Sequence, residues 1–260
     1  MRKVLCPAML ALSLCLYFGW RAQAAGWVGK WDANPDKQGL KAFEGIEDDR
    51  TKSHAEATHI YVKDSAWRVD MHLRDRDKPD DRQRNEVKGM KTADGTDLAI
   101  ERGQTWRFTY SMYIPASLTA TDSFTHIMQQ KVVSDNGSSG APLVTLSLHN
   151  HDGTPSVELR LFESGEHFNP IPLAPLQDKW IDVEFEFKFD SASNGGSARM
   201  VVKSEGKVIT DKTKTGVSLF RDEGANSRVR PKWGIYRSVK SSGLRDCYLL
   251  LKNMKAYQWQ

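Results

Sequence analysis

Three short motifs hold the residues best suited to chemistry. They are Arg84-Asn85-Glu86-Val87, Met128-Gln129-Gln130-Lys131 and Lys232-Trp233-Gly234-Ile235-Tyr236-Arg237. Each sits in a strand-like run, and alternation along a strand places residues i, i+2 and i+4 on one face. Arg84 then shares a face with Glu86, Gln129 with Lys131, and Lys232 with Gly234 and Tyr236. If the three strands are neighbours, one sheet face carries cations, a carboxamide and a phenol. Such a surface suits an acidic sugar from which a proton is to be removed. The C5 proton of a uronic acid is only weakly acidic until its carboxylate is neutralised by Arg, Lys or an amide. A Tyr or His can then take that proton, and a Tyr can donate to the leaving O4. A phenol needs cations close by to act as a base, and Lys232 and Arg237 are the sequence neighbours of Tyr236 that would supply them.

The elements that must position these groups are strands. Trp67, Val69, Met71 and Leu73 alternate with Arg68, Asp70, His72 and Arg74. Trp106–Tyr113 and Phe124–Val133 read as strands. Leu143–His149 and Val157–Phe162 read as a pair around a turn at Asp152-Gly153, and Met200–Ile209 as a hairpin around Glu205-Gly206. Ile181–Phe189 alternates apolar with acidic residues, and Trp233–Arg237 and Tyr248–Trp259 close the chain. Arg74–Arg82 and Ser134–Gly140 read as loops beside a cleft. Helical periodicity is weak throughout. This pattern predicts an all-β jelly roll, a sandwich of two packed antiparallel sheets.

Arg2 and Lys3, the apolar run Val4–Trp20 and the small-x-small site Ala22-Gln23-Ala24 read as a secretory signal peptide over residues 1–24. Residues 25–260 are then one exported domain, extracellular or periplasmic. The chain has 37 Lys and Arg against 33 Asp and Glu. Arg2, Lys3 and Arg21 leave with the leader, so the mature chain is close to neutral. That balance argues against a nucleic-acid partner, and a cleaved leader argues against a membrane one. Cys6 and Cys15 also leave, so Cys247 has no partner for a disulfide and reads as a packing residue.

The seven His are scattered, and no Cys-x-x-Cys or His-Glu-x-x-His occurs. His149 and His151 are two apart, with no third ligand evident. Catalysis is expected to need no cofactor. A structural Ca2+ held by carboxylates and carbonyls is compatible with the composition, but its ligands cannot be chosen from sequence. Asp182, Glu184 and Glu186 are the carboxylates a glycosidase would need; the competing reading is the solvent face of an amphipathic strand.

Arg-Asn-Glu, Gln-x-Lys, a following Pro-Leu strand, Lys179-Trp180 and Lys-Trp-Gly-Ile-Tyr-Arg occur in this order. In this the chain resembles the jelly-roll polysaccharide lyases of the glucuronan lyase and heparin lyase I group, from about Ala66 to Trp259. The resemblance implies a concanavalin A-like fold whose concave sheet binds an acidic polysaccharide. It assigns Arg84 to the substrate carboxylate, Gln129 to the same task, and Lys232 and Tyr236 to the late Lys-x-x-x-Tyr strand, with Tyr236 as acid or base. Lys131 stands where some relatives carry a catalytic His, so the base is open among Tyr236, Lys131 and His72. Arg237, Glu86, His149 and Arg160 are the further substrate-binding candidates, with Glu86 also orienting Arg84. The expected enzyme is a monomeric lyase that cleaves a polyuronate such as glucuronan or alginate by β-elimination. The alternatives are a non-catalytic carbohydrate-binding jelly roll and a jelly-roll hydrolase.

Overall fold

A computed structural model describes residues 25–137 and 140–260; the leader proposed for residues 1–24 lies outside the described residues. Among the described residues, sixteen strands follow one another. The first six are β1 (Trp27–Asp32), β2 (Gly45–Asp48), β3 (Ile60–Lys63), β4 (Ala66–Met71), β5 (Arg82–Lys88) and β6 (Thr105–Tyr113). Then come β7 (Thr125–Val133), β8 (Val144–His151), β9 (Thr154–Leu161), β10 (Glu166–His167) and β11 (Ile171–Pro172). The last five are β12 (Trp180–Lys188), β13 (Ser197–Ser204), β14 (Lys207–Thr215), β15 (Arg228–Ser238) and β16 (Cys247–Trp259). They form two antiparallel sheets. One runs β14-β13-β12-β6-β16-β4-β3 with β1 beside β16; the other runs β10-β9-β8-β7-β15-β5-β2 with β11 beside β9. This is the expected jelly-roll sandwich.

Alternation explains which side chains fill the space between the sheets. Ile181, Val183, Phe185 and Phe187 of β12 point inward and are buried, as are Leu146 and Leu148 of β8 and Leu159 and Leu161 of β9. Trp67, Trp106 and Trp233 are buried among them, and Trp31 stacks on Trp233 at 5.7 Å between ring centroids. Such large aromatics supply much of the apolar area that holds two sheets together. On the outer side of β12, Glu186 accepts from Arg107 and Arg199, Glu184 from Arg199, and Asp182 from Ser111. The three acids therefore form a paired outer face on the sheet opposite to Tyr236.

β4 ends at Met71, two residues before the strand read from the sequence, the chain turns at Leu73-Arg74, and Leu73 is exposed at 47 %. The turn at Asp152-Gly153 and the hairpin at Glu205-Gly206 form as expected, with all four residues at positive φ.

Candidate active site

β15 lies between β5 and β7, so the three motifs are adjacent. In register, Tyr236 opposes Arg84 on one side and His126 on the other, while Lys232 opposes Gln129. Opposite Glu86 stands Gly234, with φ at +142°. A Cβ there would lie 2.3 Å from the Asn85 carbonyl oxygen and 2.7 Å from Glu86 Cα. Only glycine lets β15 approach β5 this closely.

Beneath the surface, Glu86 is fully buried and fixes its neighbours. Its Oε2 accepts from Arg84 Nη1 at 2.8 Å, and its Oε1 accepts from Gln129 Nε2 at 2.5 Å. Arg84 Nε also donates to Asp77 Oδ2 at 2.8 Å. Lys232 is nearly buried and gives its ammonium to Glu47 at 2.5 Å, with Glu86 at 3.7 Å. Burial alone would push the Glu47 carboxyl up, but Lys232, Arg84 and Lys88 together hold it well below the usual carboxylate range. Glu86 orients Arg84 as expected, from within the protein rather than at its surface.

The Arg84 guanidinium lies 3.7 Å from the centroid of the Tyr236 ring, and Arg82 Nη1 donates to the Tyr236 hydroxyl at 2.9 Å. These two arginines are the cations at the phenol. Arg237 is not one of them. Its guanidinium is buried on the inner side, donating to Gln83 Oε1, Cys247 Sγ and the Arg245 carbonyl. Adjacent residues on a strand face opposite ways, so Arg237 cannot share the face of Tyr236.

A pocket of about 240 Å3 opens above Tyr236, walled by Arg82, Arg84, Phe124, His126, Gln129 and Lys131, with Gly140–Pro142 and Phe162 at its rim. His126 is absent from the sequence-based candidates. Strict alternation would place it with Met128, away from Gln129. A bulge at Ile127 breaks the count: His126 and Met128 oppose the consecutive residues Ser147 and Leu146 of β8. One extra residue turns His126 onto the face of Gln129. Its Nδ1 pairs with Ser147 Oγ at 2.8 Å, and its ring lies 5.9 Å from that of Tyr236. Burial, then Arg84 and Arg160, drive the His126 imidazole down to about 3, so it is neutral at neutral pH. The sequence signal was only a His in a strand next to a Gln-x-Lys motif.

Lys131 reaches the Gly140 carbonyl at 2.5 Å. Burial, then the charge of Lys232, push its ammonium down to about 8. Further along the same face, Thr145, Ser147 and His149 of β8 oppose Arg160, Glu158 and Ser156 of β9. Arg160 pairs with the buried Glu158 at 3.0 Å. His149 and Arg160 therefore line the same sheet face as Gln129, beyond the pocket.

His72 is not brought to the pocket. It follows β4 in the other sheet, and its ring packs against those of His54 and His59 at 4.6 and 5.5 Å. Asp75, which these histidines surround, is bonded by Asn85. Asn85 sits between Arg84 and Glu86 and faces away from them. The histidines that look scattered in sequence thus converge in space, behind β5.

Two antiparallel sheets in a jelly roll carry a phenol, an imidazole, a carboxamide and guanidinium groups gathered on one face. The model of the polysaccharide lyase family matches residues 27–249, and the chain belongs to that family. Among solved structures, it is similar to alginate lyase A1-II' of family 7 with substrate bound, at 14 % identity and a TM-score of 0.59, covering 87 % of this chain and 97 % of that one. The same enzyme at 1.0 Å gives 16 % identity and a TM-score of 0.57, covering 88 % and 100 %. Alginate lyase PA1167 from Pseudomonas aeruginosa gives 12 % and 0.55, covering 84 % and 98 %. At these identities the likeness is one of fold. No curated protein sequence matches the chain. Among the described residues, no helix is long and apolar enough to cross a membrane.

Proposed function

We propose that this polysaccharide lyase is exported and cleaves a non-sulfated polyuronate, alginate or glucuronan, by β-elimination on the concave sheet. The observation that carries the proposal is the convergence of Tyr236, His126, Gln129 and Arg82 in one pocket. The near-neutral mature chain favours a non-sulfated polymer over a densely sulfated one.

In this reading the sugar carboxylate is met by Lys131 and by the second N–H of Gln129, whose first is committed to Glu86. Removal of the C5 proton leaves an electron pair that forms the C4–C5 double bond as the C4–O4 bond breaks, and O4 takes up a proton. Tyr236 is the proton-transfer group, with Arg82 at its oxygen and Arg84 over its ring placed to stabilise charge developing there. His126, neutral and beside it, is the second group able to accept a proton. Glu86, Glu47 and Lys232 hold the platform. No step draws on a metal. A bound structural Ca2+ would act only on stability.

The test is incubation of the mature enzyme with glucuronan, alginate and heparin-type polymers, following the ultraviolet absorbance of the unsaturated product. A rise on a non-sulfated polyuronate is expected. Flat absorbance on every polymer overturns the reading and leaves a carbohydrate-binding protein as the alternative.

A further inference from the structure

The histidine cluster behind β5 has a composition that packing does not explain. His54, in the segment after β2, His59, just before β3, and His72 and Asp75, after β4, place one ligand atom each within 4.8 Å of all the others. His54 Nδ1 and His59 Nε2 each lie 3.1 Å from Asp75 Oδ1, and His72 Nδ1 lies 3.3 Å from Asp75 Oδ2. Asp75 is fully buried, and His59 nearly so.

Hydrogen bonding alone leaves this cluster incomplete. Asp75 Oδ2 already accepts from the His72 amide at 2.7 Å and from Asn85 Nδ2 at 2.9 Å. His72 Nδ1 is a buried polar atom without a hydrogen-bond partner, aimed at the same point. Buried orphan atoms of this kind call for an explanation, and an unseen ion is one of the recognised ones. Tetrahedral zinc with bonds of about 2.0–2.1 Å separates its donors by about 3.3 Å, close to the spacings around Asp75. Two further carboxylates lie nearby, Glu56 3.8 Å from His54 Nε2 and Asp48 3.9 Å from His59 Nδ1, both beyond hydrogen-bond distance. Three imidazoles and one carboxylate suit zinc and its neighbours, not Ca2+, which takes oxygen ligands.

We propose that His54, His59, His72 and Asp75 form a closed structural site for a zinc-type divalent transition-metal ion. Four protein donors leave no open position for a substrate, and Asn85 separates the cluster from the pocket. The ion would fasten the β2–β3 connection to the β4–β5 connection. The segment after β2 is further tied in by Asp49, which accepts from the amides of His54 and Arg76. The segment after β4 runs on to Asp77, the partner of Arg84. Holding Arg84 in place is a consequence that rests on the lyase reading; the metal site does not depend on it.

The experiment uses untagged mature protein. It is stripped with a strong chelator, then titrated with Zn2+ by calorimetry and followed by thermal unfolding. One equivalent is expected to bind. At a hundredfold excess over Kd the thermal midpoint should rise by about 5–10 °C, with no comparable rise for Ca2+. In the double variant His54→Ala/His72→Ala the affinity should fall by about 100-fold or more. Should that variant fail to fold, Co2+ loaded into the stripped wild-type protein decides, because a tetrahedral site gives intense visible absorption. No Zn2+ binding and no midpoint shift would overturn the proposal. So would undiminished binding in a folded double variant, or a Co2+ spectrum without tetrahedral bands.

Discussion

Tyr236 and His126 are cross-strand partners between β15 and β7, with ring centroids 5.9 Å apart. Two irregularities meet here: Gly234 and Ile235 of β15 oppose the single residue Ile127, and β7 carries one extra residue there against β8. The pairing sets a phenol and an imidazole side by side on a face whose arginines, Arg82 and Arg84, are both within reach of the phenol.

Tyr236→Phe removes the hydroxyl and keeps the ring that Arg84 covers. Turnover is expected to fall by about 10²–10⁴-fold, with KM changed little. The readout is steady-state formation of the unsaturated product. Unchanged turnover would take Tyr236 out of the mechanism.

His126 gives a signature in stability. Its folded value, about 3, lies below the ordinary 6.5. Between those two values the unfolded chain binds a proton that the folded one refuses. The folded state therefore loses stability as pH falls through this window, by up to about 1.4 kcal/mol per pH unit. In His126→Gln the dependence of urea-unfolding free energy on pH should flatten by about one proton between roughly pH 4 and 6. Identical slopes for variant and wild type would mean that His126 is not held neutral.

Lys131 predicts the alkaline side. Its ammonium, pushed down to about 8 by burial and by Lys232, loses charge as pH rises through that value. A carboxylate bound there should be held less tightly above it, so KM should climb above about pH 8. Lys131→Met should raise KM at neutral pH by about 10–100-fold and abolish the alkaline limb. Lys131→Arg should move that limb to higher pH. An alkaline limb that persists in the Met variant would assign it to another group.

Gly234 tests the close approach of β15 to β5. Gly234→Ala sets a Cβ against the Asn85 carbonyl at a backbone angle unfavourable to alanine. A loss of about 2–4 kcal/mol in unfolding free energy is expected. A loss below about 0.5 kcal/mol, within the range of ordinary surface substitutions, would mean that the two strands lie further apart.

Much of the architecture could be read from the residues because sheet burial is local. Alternation in β8, β9 and β12 requires only that one side be dry, and those strands formed as expected. The same rule placed Arg84, Glu86, Gln129, Lys232 and Tyr236 on their common face. It misled at Leu73, which is exposed because β4 ends before it. It also gave no sign of His126, because nothing local marks the bulge at Ile127.

What the amino-acid order determined by itself is the sandwich, the order of the motifs and the face each motif presents, since all three follow from a two-residue period. What only the tertiary structure decided is which cations meet the phenol, and where the histidines go. Arg237, next to Tyr236 in the chain, is turned inward, while Arg84 and Arg82, about 150 positions away, arrive by strand pairing. His72 joins His54 and His59 behind β5, not Tyr236 in front of it. Proximity across a sheet depends on which strands pair and on every bulge between them, and neither is a property of any short stretch of chain.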